Sequence, residues 1–293
     1  MSILKNFRNP WEDDNWVLQT DVLDKGVLEN NVLSNDVLYI DDNSAELDPY
    51  RSYYFNNEGV LIARITLKTR SRKVFILDKS LVTKLRKERD AIKDTKKSKS
   101  FYINALIKSG KMIATFDKKS KLSSSIFSKI YTYILKNHDF DLSKLYNKKL
   151  SAFGTNRENY NDPETIYYAN TVHINENTFK LSLDIGQTLY DFCHVGNIVN
   201  AIGAHEYTGH GINKWSGHNE EEKTHYKAFE YQMDNHESWN YTTMLFKSHV
   251  IYLYLDALFD ERSLTDAWSI YDKLKKKYGK YKEFKSIWTY YNR

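Results

Sequence analysis

Three side chains in one short stretch could bind and use a metal ion. His205, Glu206 and His210 lie within the segment 204–211. Imidazole nitrogens are common zinc ligands, and a carboxylate beside a ligand can act as a general base. The stretch therefore predicts a catalytic zinc site, with Zn²⁺ as the expected cofactor. In this hypothesis Glu206 takes a proton from a zinc-bound water, whose pKa the metal lowers.

The spacing of the two histidines is unusual for such a site. Residues five apart on a regular α-helix lie about 140° apart around its axis, whereas residues four apart lie about 40° apart. Both imidazoles can reach one ion only if the helix holds an extra residue, as in a π-bulge. Gly209 precedes His210 and tolerates unusual dihedrals. We therefore expect an over-long turn between His205 and His210.

A third ligand is expected from the next helix, which the sequence predicts from Glu220 to Asn235. Glu230 lies 20 residues after His210 and is the preferred candidate, with His225 and His218 as alternatives. Asp234 could accept the other ring N–H of a ligating histidine and fix its orientation.

For the remaining catalytic roles the sequence offers several candidates each. Donors to the oxyanion of the transition state are expected among four residues, His225, Tyr226, His236 and Tyr241. The alternating segment Phe179–Ile185 predicts a strand that binds an extended peptide by edge pairing.

The segment His205-Glu206-Tyr207-Thr208-Gly209-His210 resembles the zinc motif of the dipeptidyl peptidase III family of metallopeptidases. The downstream pair Glu230 and Asp234 resembles that of the glutamate-zincins related to thermolysin. These resemblances cover about 40 residues and imply a zinc peptidase with His205, His210 and Glu230 as ligands and Glu206 as base. No other segment matches dipeptidyl peptidase III, so exopeptidase activity is not implied.

A second resemblance is to the C-terminal toxin regions of bacterial polymorphic effectors. Several of those carry His-Glu-x-x-Gly-His-Gly, then His-x-x-Ala-[Tyr/Phe]-Glu and Thr-Thr, which are similar to 205–211, 225–230 and 242–243 here. This resemblance implies a secreted peptidase effector with a protein or peptide substrate, and an immunity or chaperone protein as a partner.

Composition limits the class of protein. Charged residues make up 28% of the 293 residues and mean hydropathy is −0.65, which predicts a soluble protein. No apolar run reaches the roughly 18 residues of a membrane span, and the N-terminus lacks a signal-peptide core. We therefore expect cytoplasmic synthesis, which is compatible with export by a signal-independent system. Residues 84–121 carry 13 Lys or Arg against four Asp or Glu, which we interpret as a solvated face rather than a nucleic-acid site.

The predicted fold class is α+β, in three segments. Residues 1–47 hold Val-Leu pairs every five residues between 17 and 38 and are interpreted as a repeat or linker. Residues 48–150 predict strands followed by helices. Residues 151–293 predict a mostly helical zincin-like domain with a β-hairpin beside the motif helix.

Two other functions fit parts of the sequence. A metal-dependent nuclease effector would use His210 and His218 with their neighbouring asparagines, and the basic segment would hold phosphate. A non-catalytic binding protein would carry a structural zinc, or none, on the same histidines.

Overall fold

The computed structural model describes residues 38–40, 51–66, 72–120, 122–153, 169–184, 191–216 and 223–291. The predicted α+β class is confirmed. The Val-Leu repeat, apart from Leu38, lies outside the described residues, and so does His218. Within the described residues, no helix combines the length and apolar character needed to cross a membrane.

A five-stranded sheet forms the first half of the fold. Its strands are β1 (Leu38–Ile40), β2 (Arg51–Asn56), β3 (Leu61–Thr66), β4 (Val74–Leu77) and β5 (Lys111–Met112), in the order β1-β3-β2-β4-β5. Strands β2 and β3 form an antiparallel hairpin. Its turn is closed by the Asn56 side chain, which accepts hydrogen bonds from the N–H groups of Glu58 and Val60, and by Gly59 with a φ of 76°.

Helices cover both faces of this sheet. They are α1 (Lys79–Asp90), α2 (Thr95–Ser109), α3 (Ile113–Ser120) and α4 (Ser124–Lys136). Successive side chains of a strand point to opposite faces. Accordingly, Tyr54 packs in a cluster with residues of α1 and α2, whereas its neighbours Tyr53 and Phe55 join a cluster with residues of α3 and α4.

A three-stranded sheet precedes the motif helix. Its strands are β6 (Ser151–Phe153), β7 (Ala169–Asn175) and β8 (Thr178–Asp184), in the order β6-β8-β7. The predicted hairpin is confirmed as β7 and β8, and the alternation along β8 buries Phe179, Leu181 and Leu183. Strand β8 is central, because β6 pairs with it in parallel and β7 pairs with it antiparallel.

The histidine motif lies on a long π-helix. A short helix, α5 (Val195–Ile198), continues directly into the π-helix Val199–Ile212. After the segment 217–222, α6 (His225–Glu230) continues into a second π-helical turn, Tyr231–Asn235. The helices α7 (Met244–Glu261), α8 (Leu264–Tyr278) and α9 (Lys282–Tyr291) end the described chain. Residues of α6 to α9 share an apolar cluster, to which α7 contributes Phe246, Val250, Ile251, Tyr254, Leu255, Ala257 and Leu258.

One hydrophobic cluster spans the predicted boundary between residues 150 and 151. It joins Tyr53 and Phe127 of the first half to Phe179, Val199 and Ile202 of the second half. The backbone also crosses between the halves, because the N–H of Val195 donates to the carbonyl of Arg72 at 2.9 Å. The two predicted segments therefore share a core, which holds the π-helix against the first half.

Candidate metal centre

The π-helix resolves the unusual histidine spacing. In a π-helix each N–H bonds to the carbonyl five residues earlier, as the N–H of Asn213 does to the carbonyl of Thr208 at 2.9 Å. Residues five apart then lie on the same side of the helix. The over-long turn that the sequence predicts is thus present, as 14 residues of π-helix rather than a single bulge.

Three imidazoles converge at this helix. The Nε2 atom of His205 lies 3.2 Å from the Nε2 atoms of both His210 and His225. The ligand atoms of the three residues all lie within 4.8 Å of one another, and no other such group of His, Cys, Asp or Glu occurs among the described residues. These three histidines are close enough to bind one metal ion.

The hydrogen bonds of the Nδ1 atoms determine that the Nε2 atoms of His205 and His210 are the ones free to bind a metal. The Nδ1–H of His205 donates to the Gln232 Oε1 atom at 3.0 Å, and the Nδ1–H of His210 donates to the carbonyl of Trp215. A carbonyl oxygen only accepts, so each Nδ1 carries the proton and each Nε2 presents a lone pair. Two lone pairs 3.2 Å apart repel unless a cation lies between them. The donor set therefore fits a bound cation.

Two of the three separations between ligand nitrogens also match those of a tetrahedral zinc site. Zinc–nitrogen bonds of about 2.0–2.1 Å at tetrahedral angles place neighbouring nitrogens about 3.3–3.4 Å apart. The observed Nε2 separations of 3.2 Å are close to that value. Three protein ligands leave the fourth position of a tetrahedron open, which is the arrangement of catalytic rather than structural zinc sites.

Glu230, the predicted third ligand, does not belong to this group, and the alternative His225 takes its place. The physical reason is helical periodicity. Residues five apart on α6 lie about 140° apart, so His225 and Glu230 face different ways. The Glu230 carboxylate instead accepts a hydrogen bond from the Tyr254 hydroxyl at 2.9 Å.

The side chain that bonds to the second nitrogen of His205 is Gln232 and not Asp234, which the sequence suggested for such a contact. Asp234 is exposed, whereas Gln232 is buried and bonds to His205. Gln232 is held in turn by Asn200, whose side-chain N–H donates to its backbone carbonyl at 2.9 Å. A helical signal for it exists in the sequence, since His225, Phe229 and Gln232 recur at spacings of four and three and share one face.

Glu261 holds the start of α6. Its carboxylate accepts the backbone N–H of Tyr226 at 3.1 Å and also bonds to the backbone of His225. The ring of Phe229, one turn after His225, packs against the rings of both His205 and His225. These contacts place His225 in the cluster. Neither composition nor motif spacing predicts that Glu261 has this part in positioning α6.

The other predicted oxyanion donors are engaged elsewhere. The Tyr226 hydroxyl accepts a hydrogen bond from Arg262 at 2.8 Å and is buried on the side of α7. His236 bonds to Ser238 and stacks on a phenylalanine ring, and the Tyr241 ring lies under the Arg72 guanidinium. None of these contacts supports an oxyanion role, and His225 joins the metal group instead.

Burial shifts the pKa values of His205 and Glu206. It holds the pKa of His205 well below its usual value, and the neighbouring His210 and His225 add to this effect, so the imidazole stays neutral and able to bind a metal. Burial raises the pKa of the Glu206 carboxyl, while the charge of His210 and a hydrogen bond from Thr171 oppose that rise. A carboxylate of raised basicity beside a ligand is suited to accept a proton.

Strand β7 lies along the π-helix. The Thr171 hydroxyl donates to the Glu206 Oε2 atom at 2.8 Å, and His173 Nε2 lies 2.9 Å from the carbonyl oxygen of His210. His173 therefore contacts the π-helix directly. Strand β7 thus reaches the π-helix at two motif residues, Glu206 and His210.

Comparison with known proteins identifies no relative. No protein-family model matches the chain, and no curated protein or solved structure matches it either. Functional assignment therefore depends on the geometry of the site.

Proposed function

We propose that the chain is a zinc-dependent peptidase that cleaves within extended peptides. The observation that carries this proposal is the convergence of three Nε2 atoms, two of which are fixed as lone pairs by acceptors on their Nδ1–H groups. Imidazole ligands suit zinc, whereas Mg²⁺ prefers oxygen ligands. His205, His210 and His225 would hold the ion.

Glu206 supplies the proton chemistry in this proposal. A bound zinc ion would polarise an amide carbonyl and lower the pKa of a water molecule. Glu206 follows a ligand on the π-helix, is 8% exposed and interacts electrostatically with His210. It accepts a proton from the attacking water and passes it to the leaving nitrogen.

The substrate strand is β7 in this proposal, which corrects the expectation from the sequence. The segment Phe179–Ile185 was expected to pair with substrate, but β8 is paired on both sides. Strand β7 pairs only with β8 among the described residues, and two of its apolar side chains, Val172 and Ile174, are about half exposed. An extended peptide can add to such an edge through main-chain hydrogen bonds.

Replacing Glu206 with Gln tests the proposal. The change keeps the size of the side chain but removes its basicity, so we expect cleavage of dye-labelled β-casein to fall by about 10²–10⁴-fold. Zinc content, measured by elemental analysis, should stay near that of the unchanged chain, because Glu206 is not among the three ligands. Full cleavage by the Glu206→Gln chain would overturn the assignment of the base. No cleavage by the unchanged, zinc-loaded chain over a panel of unfolded proteins would overturn the proposed function.

The resemblance to effector toxin regions extends this proposal to a secreted bacterial toxin with an immunity or chaperone partner. That extension rests on the sequence motifs alone, and the hairpin, the π-helix and the histidine cluster are independent of it.

A further inference from the structure

Glu206 has a hydrogen-bond donor on a neighbouring strand. The Thr171 hydroxyl lies 2.8 Å from Glu206 Oε2 and 3.2 Å from the backbone carbonyl of the same residue. A hydroxyl has one proton to donate, and the shorter distance assigns it to the carboxylate. Glu206 is buried, so few water molecules can replace this bond.

The same strand is joined to the metal-binding helix a second time. His173 lies two residues after Thr171 and therefore on the same face of β7. Its Nε2–H donates to the carbonyl of His210 at 2.9 Å. Thus β7 contacts the helix both at the base, Glu206, and at a metal-binding residue, His210.

We propose that Thr171 is a positioning residue that fixes the Glu206 carboxylate, so that the strand edge offered to the substrate also orients the base. The proposal rests on the proposed function, since it assigns a partner to the base of that reaction. Thr171 is the only side-chain donor to the Glu206 carboxylate among the described residues, and a carboxylate on a flexible side chain loses its productive orientation when such a donor is removed. Loss of orientation acts on the rate of the chemical step, and misplacement by about 1 Å can lower a rate about 100-fold.

Thr171→Val is the first test, because valine has nearly the shape of threonine and keeps its preference for strands. We expect kcat for a fluorogenic peptide derived from a β-casein cleavage site to fall by about 10- to 100-fold while KM changes little. The zinc dissociation constant, measured by competition with a chelator, should be unchanged. Thr178→Val, on the neighbouring strand β8, is the matched control and should retain full kcat.

A second pair of variants separates the hydroxyl from the packing of the γ-methyl group. Thr171→Ser and Thr171→Ala both lose that methyl group and differ only in the hydroxyl. We expect Thr171→Ser to retain most of kcat and Thr171→Ala to lose it, a ratio of about tenfold or more. Combining Thr171→Val with Glu206→Gln should cause no loss beyond that of Glu206→Gln alone, because the two residues act as one unit.

The outcomes distinguish this inference from the proposed function. If the unchanged chain cleaves peptide and Glu206→Gln does not, yet Thr171→Val and Thr171→Ala retain full kcat, the inference about Thr171 is wrong and the function stands. A loss of zinc affinity in Thr171→Val and Thr171→Ala, with kcat intact at saturating zinc, would also overturn it, since Thr171 would then act on the metal site. If the unchanged chain cleaves nothing, the proposed function fails first, and the inference about Thr171 is overturned with it.

Discussion

At the scale of single residues, the hydrogen bonds of two histidines determine which of their ring nitrogens carry a proton. The carbonyl of Trp215 and the amide oxygen of Gln232 each accept an Nδ1–H, which leaves the Nε2 atoms of His210 and His205 as lone pairs directed at each other. Burial lowers the pKa of His205, so protonation of His205 itself does not relieve this repulsion near neutral pH. A cation shared by the lone pairs would relieve it, and outer partners of this kind strengthen metal binding.

The identity of the third ligand can be tested with a pair of variants on α6. His225→Ala removes one of the three converging nitrogens, so we expect zinc affinity to fall by more than the roughly 100-fold that loss of an outer hydrogen-bond partner costs. Glu230→Gln should bind zinc like the unchanged chain, because its amide oxygen can still accept the Tyr254 hydroxyl. Chelator competition measures both. The opposite result, with Glu230→Gln losing zinc and His225→Ala keeping it, would restore the ligand set that the sequence motif favoured.

At the scale of elements, glycines let the π-helix approach its neighbours closely. A Cβ atom at Gly209 would lie 2.8 Å from the Cβ of Ala228 on α6, and a Cβ at Gly203 or Gly211 would overlap a phenylalanine ring. Long π-helices are rare, so this one depends on packing rather than on intrinsic preference. The contact between Gly209 and Ala228 sets how closely α6, which carries His225, can approach the other two histidines.

Gly209→Ala should therefore weaken the metal centre. The added methyl group must displace α6, because Cβ atoms do not approach to 2.8 Å. We expect a loss of zinc affinity of about tenfold or more, comparable to the disruption of an outer partner. Gly209→Ala combined with Ala228→Gly removes the clash and should recover most of the affinity, although the new glycine costs about 1 kcal/mol of helix stability. Equal affinity in Gly209→Ala and the unchanged chain would show that α6 is not held by this contact.

The sequence predicted the β7–β8 hairpin and the unusual helix geometry, but it did not predict which side chain joins His205 and His210 or which strand edge is open. Alternation along β8 and the turn at 175–177 were sufficient for the hairpin, and the five-residue spacing of His205 and His210 required non-α geometry. Glu230, which the motif resemblance favoured, lies outside the histidine group, whereas His225 lies on the helical face that it shares with Gln232. Strand β6 pairs with β8 and so leaves β7 as the edge strand of the hairpin. This pairing joins segments far apart in the chain, and no local sequence pattern predicts it.

At the scale of the whole molecule, the two helices that carry most of the basic segment, α1 and α2, belong to a different hydrophobic cluster from the π-helix. Helices α1 and α2 pack on the first sheet in a cluster that includes no residue of the π-helix. The histidine group contains no carboxylate, although metal-dependent phosphate chemistry with Mg²⁺ relies on oxygen ligands. This arrangement gives no support to the nuclease hypothesis, which needs the phosphate-holding segment at the metal.

A half-buried histidine far from the motif in sequence, His138, predicts how stability depends on pH. His138 follows α4, and its Nε2 atom lies 3.3 Å from the Tyr53 hydroxyl, while its Nδ1 has no hydrogen-bond partner among the described residues. Burial lowers the pKa of His138 to about 3, and the positive charges of Arg51, His236 and Arg64 act in the same direction. The neutral ring contacts Tyr53, which belongs to the hydrophobic cluster shared by the two halves.

The free energy of unfolding changes with pH because the folded and unfolded chains bind different numbers of protons at His138. In the unfolded chain His138 titrates near its usual pKa of about 6.5, so below that pH the unfolded state binds a proton that the folded state does not. The free energy of unfolding should therefore fall as pH drops from about 6.5 toward about 3, by about 1.4 kcal/mol per pH unit from this residue alone. His138→Gln removes the titration, so its urea-unfolding free energy should decline less steeply over that range. Chelator-treated protein is the right sample, because acid would also release a metal from the three histidines. Equal slopes for His138→Gln and the unchanged chain would mean that His138 takes up a proton without unfolding, and that the contact between the halves opens around it.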